Sequence, residues 1–218
     1  MPGQNANEQA SVADALASRL EAQRPASGWA GALRELGALD RAMYEAVADT
    51  PTPQLDGLFR RLSNAANNSR LWFGIAAAIA ALGGARGRQA AIEGLLAIGV
   101  TSAGVNLGLK PLARRPRPDP AGPALTVGRQ VRMPSSDSFP SGHAASASAF
   151  AYAVGRHLPA LAVPIRLLAA AVAYSRVHTG VHYPGDVVIG SVVGAGTAAT
   201  VGAARDRARS RGSRNLPG

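Results

Sequence analysis

The stretch Val187-Val188-Ile189-Gly190-Ser191-Val192-Val193-Gly194-Ala195-Gly196-Thr197-Ala198-Ala199-Thr200-Val201-Gly202-Ala203-Ala204 carries no charged side chain over 18 residues. As a helix rising about 1.5 Å per residue it spans about 27 Å, close to the hydrocarbon thickness of a bilayer. Working outward toward the N-terminus, 71–85, 142–155 and 167–175 are likewise uncharged, and 89–109 holds Glu93 alone. Five such blocks, set apart by arginine-marked turns, are difficult to bury on every side in a chain of 218 residues. The reading is an all-α, integral-membrane bundle of about five transmembrane helices, with an alanine-rich soluble helical core as the alternative. The shorter blocks reach the interfaces when Asn67, Asn68 and Ser69 extend the first, when 163–165 joins 167–175, or when flanking arginines snorkel. Gly94, Gly99, Gly104 and Gly108 in one block, and Gly190, Gly194 and Gly196 in another, permit close helix contacts in lipid.

Ahead of the blocks the pattern is amphipathic. Val12, Leu16 and Leu20 recur every four positions, and Trp29, Leu33, Leu36, Leu39, Met43 and Val47 mark one stripe of a second helix, stopped by Pro51 and Pro53. Leu55, Leu58, Phe59 and Leu62 open a third. These helices suit a soluble domain and a membrane surface equally well. The expected organisation is an amphipathic helical N-terminal region over 1–66, a membrane core over 67–204 and a basic, disordered tail over 205–218. The first residues lack the basic patch and apolar run of a cleavable signal peptide.

The formal net charge of +10 comes mostly from arginine, since Lys110 is the sole lysine. Arginines border the apolar blocks at Arg70, Arg86, Arg88, Arg156 and Arg166, and five more occupy the tail. A nucleic-acid reader concentrates them on one face beside aromatic platforms, so no nucleic acid is expected; membrane lipids and an anionic substrate are. The pattern carries no signal for an oligomeric state. With no cysteine, disulfides, thiolate metal sites and thiol catalysis are excluded.

The one long non-apolar connection, 110–141, carries six positive and two negative side chains. At its end, Phe139-Pro140-Ser141-Gly142-His143 reads as a helix entry with Ser141 as N-cap and unpaired amides able to hold phosphate oxygens. His143 taken alone is equally a capping or interfacial histidine. A second cluster runs Ser175-Arg176-Val177-His178-Thr179-Gly180-Val181-His182-Tyr183-Pro184-Gly185-Asp186. His182 and Asp186, four apart, share a face if a helical turn connects them, and the carboxylate then fixes the tautomer and frees the other ring nitrogen as a nucleophile. Asp186 also suits the N-terminus of the following helix. Lys110 and Arg117 join Arg176 as three cations on one side of the bundle, where a bound phosphate would relieve their repulsion.

Together these elements resemble the tripartite motif of the type 2 phosphatidic acid phosphatase superfamily, which includes bacterial undecaprenyl-diphosphate phosphatases and, more remotely, vanadium haloperoxidases. Lys110, six residues and Arg117-Pro118 match its first part, Pro140-Ser141-Gly142-His143 its second, and Ser175-Arg176, His182 and Asp186 its third, with all spacings kept. The resemblance implies hydrolysis of a lipid phosphate or diphosphate, of polyprenyl type, through a phosphohistidine. It assigns His182 as nucleophile, Asp186 as its orienting partner, His143 as the acid on the leaving oxygen, and Lys110, Arg117, Arg176 and the Ser141 and Gly142 amides as phosphate donors. No metal or other cofactor is expected, because the cations replace it and the histidines lack the carboxylates of a two-metal site. His178 is expected in the site wall; Arg114, Arg115, Arg129 and Arg132 suit either an anionic headgroup or a solvated loop. A phosphotransferase, a soluble haloperoxidase and a noncatalytic lipid-binding or assembly protein are the alternatives. Placing the motifs on one face, with Arg86, Arg88, Arg156, Arg166 and the tail opposite, has the active site open outside the cytoplasm.

Overall fold

The computed structural model describes residues 28–119 and 127–214, among which there are helices and connections but no strand. The chain divides into two units, 1–39 and 40–218. Within the first, the described residues open α1 (Trp29–Asp49); the helix expected over 12–20 lies outside the described residues. The second unit continues α1 from Asp40 and adds α2 (Pro53–Ala65), α3 (Arg70–Leu82), α4 (Gly84–Ala103), a π turn (Gly104–Leu109), α5 (Lys110–Ala113), α6 (Gly142–His157), α7 (Pro159–His178) and α8 (Pro184–Arg214). Prolines open α2, α7 and α8, where the amide they lack would have had no helical partner.

Within the second unit, α2 is tied to the other helices by polar side chains. Asp56 of α2 accepts from Arg129 Nε at 2.9 Å and lies 3.0 Å from His178 Nε2 of α7. Arg129 also donates to the carbonyls of Val47, Ala48 and Thr50, so one buried guanidinium fastens the end of α1 and the start of α2.

Of the five apolar blocks, three yield helices long and apolar enough to cross a membrane, in Gly84–Ala113, Pro159–His178 and Pro184–Arg211. The other two form α3, of 13 residues, and α6, of 16 residues. Both are cut short by sequence: α3 begins after the left-handed pair Asn68 and Ser69 and ends at Gly83, while α6 runs from the Ser141 cap to Leu158-Pro159. Val163, Leu167, Val188 and Val192 face outward on α7 and α8, as lipid contact requires.

Helix α6 is the centre, packing against α4, α7 and α8. Its buried face is built from alanines around Phe150, whose ring lies 5.3 Å from that of Trp72 on α3. Small side chains let α8 come close: a Cβ on Gly190 would stand 2.5 Å from the Ser141 carbonyl oxygen, and one on Gly194 would collide with the Ala145 carbonyl. These contacts are backbone, so a larger residue must push the helices apart.

At the far end of α6, Glu93 of α4 is buried against Arg156 at 2.9 Å and His157 at 3.0 Å, with Arg205 at 3.7 Å. Arg156 also reaches Asp206 at 2.6 Å. Helix α8 therefore continues through Arg214, over positions expected to be a disordered tail: arginine and alanine favour helix, and these pairs hold the first turn of that segment.

Gly194→Ala should lower stability by about 1–3 kcal/mol, the range for overpacked sites. Gly196→Ala, where a Cβ meets nothing within 4 Å, is the control; thermal unfolding in detergent compares them, and equal midpoints would refute the close-approach argument.

Candidate active site

Three segments of chain converge where α4, α6 and α7 end or begin. The π turn shifts the last part of the long α4–α5 helix by adding a residue to one turn, and Lys110 follows it immediately. Its Nζ donates to Ser136 Oγ at 2.9 Å. Arg117, farther along the connection, is held by the Ser136, Asp137 and Val181 carbonyls at 2.8, 3.2 and 2.6 Å. Its Nη1 lies 3.1 Å from His182 Nε2. Burial pushes the Arg117 guanidinium below its ordinary range, against the opposing pull of Asp186 and Asp137.

His182 sits in the turn between α7 and α8, and Asp186 in the first turn of α8. The ring Nδ1 is 3.3 Å from Asp186 Oδ2, so the carboxylate fixes the tautomer with the proton on Nδ1 and the lone pair on Nε2. Asp186 is fully buried and richly supplied with donors. Ser138 Oγ and the Tyr183 amide donate to Oδ2, the amide at 2.9 Å, and Arg115 donates to Oδ1 at 2.9 Å. Arg115 also pairs with Asp40 at 2.7 Å and lies over the Tyr183 ring at 4.3 Å. Burial pushes the His182 imidazole down to about 4; the Asp186 hydrogen bond pulls it up, and the Arg117 and Arg176 charges add to the lowering. The ring is neutral near pH 7.

Ser141 caps α6, its hydroxyl accepting from the Ala144 amide at 3.4 Å. Its own amide donates to the Asp186 carbonyl at 2.9 Å. The expected use of that amide on phosphate is therefore corrected: it is already engaged in holding α6 to α8. Gly142 and His143 do face the cavity. His143 Nε2 is 3.0 Å from Asn67 Oδ1.

Lys110, Arg117, Gly142, His143 and His182 line one cavity of about 210 Å³. Arg176 stands behind it, 1 % exposed, donating to Ser63 Oγ at 2.5 Å and to the Ser63 carbonyl at 3.2 Å. Its buried Nε has no hydrogen-bond partner among the described residues. A cavity with cations on one wall, a helix N-terminus on another and a neutral imidazole presenting its lone pair has the donors and the nucleophile that phosphoryl transfer uses.

Two expectations need correction. His178 is outside the cavity wall, packed against Phe59 at 4.9 Å and bonded to Asp56, because the α7 turn carries it to the α2 side. Arg129 greets no headgroup and is not solvated; it is the buried clasp on Asp56. Ser63, Ser136 and Ser138 carry no mark in the sequence, while Asn67 reads there only as an extension of the following helix and Arg115, which braces Asp186 and Asp40, only as a headgroup or loop residue. A hydroxyl or amide gives no periodic signal, although Ser136 and Ser138 stand just before the recognised Pro140-Ser141-Gly142-His143.

The fold and site define a helical membrane protein with a cationic, histidine-bearing cavity beside its apolar helices. The sequence pattern of the PAP2 superfamily matches residues 91–209, over half of the chain, and the chain belongs to that family. Two decaprenylphosphoryl-5-phosphoribose phosphatases from Mycobacterium tuberculosis strains are 45 % identical over 106 residues, which cover 47 % of this chain and 56 % of theirs. The chain thus matches little more than half the length of those relatives. A Mycolicibacterium smegmatis protein of the same name is 40 % identical over 141 residues, covering 60 % of this chain and 68 % of its own. The crystal structure of a transmembrane PAP2-type phosphatidylglycerolphosphate phosphatase from Bacillus subtilis superimposes with TM-score 0.61 at 26 % identity, covering 79 % of this chain and 87 % of that one. Aquifex aeolicus LpxE shares the fold, with TM-score 0.61 at 22 % identity over 75 % of this chain and 94 % of that one. With its apolar helices, this makes the chain an integral membrane protein.

By proton NMR, the His182 Cε1–H resonance, assigned by its loss in His182→Gln, should titrate at about pH 4. Arg117→Gln should move that midpoint upward, because the removed charge disfavours the imidazolium. A midpoint near the ordinary 6.5 in the unsubstituted protein would refute the burial described here.

Proposed function

We propose that the chain is a membrane phosphatase that releases phosphate from a lipid phosphate, of polyprenyl type, through a phosphohistidine on His182. One observation carries the reading: His182, with its Nε2 lone pair free of its carboxylate partner, shares a small cavity with His143, Lys110 and Arg117. Family membership and relatives named as phosphatases support it.

His182 Nε2 attacks phosphorus in line, forming the N–P bond as the bond from phosphorus to the leaving oxygen breaks. Burial, with the Arg176, His182, Lys110 and Arg117 groups beside it, holds the free-site His143 imidazole well below its ordinary range. In this reading it takes up its proton as the bound phosphate offsets those cations, and then gives it to the leaving oxygen, the product departing as a neutral alcohol. Charge on the nonbridging oxygens falls to Lys110, Arg117, Arg176 and the Gly142 amide, with Arg117 moving its hydrogen bond from Nε2 to phosphate. The Asp186 carboxylate offsets the positive charge that develops on the His182 ring. In the second half His143, now neutral, takes a proton from water, water oxygen bonds to phosphorus, and the N–P bond breaks to free phosphate and His182. Discharge onto a second alcohol would make the same site a phosphotransferase, and phosphate release separates the two.

The cavity opens, in this reading, on the extracytoplasmic face. Arg86 and Arg88 lie at the helix end opposite the site and Arg166 in the opposite half of α7, with the basic end of α8, as the positive-inside tendency favours.

Purified protein in detergent with EDTA should release inorganic phosphate from polyprenyl phosphate. His182→Ala should abolish release, and Asp186→Asn should lower kcat by about 10²–10⁴. Release equal to wild type from His182→Ala would remove the nucleophile assignment. Since the chain has no cysteine, orientation is readable from single substitutions. Arg132→Cys should react with an impermeant maleimide on intact cells, and Arg209→Cys only after lysis; the reverse pattern inverts the topology.

A further inference from the structure

In the reaction proposed above His143 has a difficult task. It must carry a proton to the leaving oxygen from a buried place beside Arg176, His182, Lys110 and Arg117, all of which disfavour a charged ring. Asp186 gives it no help, being engaged by His182 and Arg115. Among the described residues the ring has one hydrogen-bond partner, Asn67, whose Oδ1 lies 3.0 Å from His143 Nε2.

Asn67 comes from the corner between α2 and α3, outside the stretch 91–209 that carries the family pattern, so that pattern assigns it nothing. The corner is held in an uncommon shape. Directly after Asn67, Asn68 and Ser69 stand in succession at φ 53° and 58°, a left-handed conformation that residues with a Cβ seldom adopt. Such outliers persist where the surroundings enforce them, and they gather at functional sites. Four residues before Asn67, Ser63 accepts from Arg176 through its hydroxyl and its carbonyl. The end of α2 and the corner after it thus meet the site twice, each time with a neutral oxygen set against a cation or against a ring that must become one.

An amide oxygen accepts and does not donate, so Nε2 carries a hydrogen in the pairing with Asn67. The amide is oriented in turn by its Nδ2, 3.5 Å from Asn64 Oδ1. With Nε2 occupied, Nδ1 is the nitrogen left to take up a proton and pass it on. The bond to Asn67 strengthens when the ring is charged, because its donor is then ionised.

Resting on the phosphatase reading of this site, we propose that Asn67 is a positioning residue for general-acid catalysis: its side-chain oxygen holds His143 by Nε2–H, turns Nδ1 to the leaving oxygen and favours the protonated ring. As the bond from phosphorus to that oxygen breaks, the Nδ1 proton moves to it, and the ring returns to neutral with its Nε2–H still on Asn67.

Leaving-group chemistry separates this role from a purely structural one. The para-nitrophenolate anion departs without a proton, whereas the alkoxide of farnesol needs one. Phosphate release is measured in detergent from farnesyl phosphate and from para-nitrophenyl phosphate. Asn67→Leu, which keeps the bulk of the side chain and removes the acceptor, should lower kcat/KM for farnesyl phosphate by about tenfold or more and for para-nitrophenyl phosphate by less than about threefold. Loss of folded enzyme lowers both alike and cancels in the ratio. Asn67→Asp keeps an accepting oxygen, so any effect it has on phosphate binding should fall equally on the two substrates. Equal losses on both substrates with Asn67→Leu, or a loss confined to farnesyl phosphate with Asn67→Asp, overturns the positioning role. Absence of release from either compound by wild type is a separate failure, which removes the phosphatase reading and this inference with it.

Discussion

A carboxylate with no exposed surface has to be compensated by donors, and around Asp186 the search for those donors assembles the protein. Removing such a charge from water costs several kcal/mol unless hydrogen bonds replace its hydration. The replacements come from two places, Arg115 and Ser138 from the 110–141 connection and His182 and the Tyr183 amide from the turn before α8, while the carboxylate itself belongs to α8. Arg115 extends the arrangement to α1 through Asp40, whose other oxygen accepts from the Gly185 amide at 2.6 Å. The Asp186 carbonyl meanwhile receives the Ser141 amide, so the same residue fixes α6 at its N-terminus. Folding the connection onto the bundle and setting the tautomer of His182 are thus one event. Removing Asp186 would loosen both.

That coupling explains what could be read in the sequence and what could not. Apolar block length gave the helices, and the motif spacings marked Lys110, Arg117, His143, Arg176, His182 and Asp186, because a four-residue separation or a helix entry is a local property. Ser63 has no such mark. It matters only because α2 lies against α7 and brings a hydroxyl to Arg176, a consequence of tertiary packing. Arg115, Arg129 and Arg132 look alike in a basic loop, yet one braces the carboxylate, one is a buried clasp and one is exposed. Their fates depend on where Asp40, Asp56 and Asp186 fall in space. The helical end of α8 was missed for a related reason: its charges read as a solvated tail until Glu93 and Arg156 are seen beside it.

The two ends of the bundle handle charge in opposite ways, and the contrast selects the end suited to an anion. At the far end carboxylates meet cations directly: Glu93 takes Arg156 and His157, and Asp206 takes the other branch of Arg156. The buried cations there are already paired, and the remaining arginines of that end, such as Arg86 and Arg88, are exposed to solvent. At the near end Lys110, Arg117 and Arg176 have no ion-pair partner among the described residues, and they are held by serine hydroxyls and backbone carbonyls instead. Neutral acceptors orient a cation without cancelling its charge. The one deeply buried carboxylate nearby, Asp186, is already shared by Arg115 and His182. Repulsion among Lys110 and Arg117 on the cavity wall and Arg176 behind it would be relieved by a multiply charged anion with several acceptor oxygens. A phosphoryl group meets that description, and the cavity that would take it is the one that the His182 ring also lines.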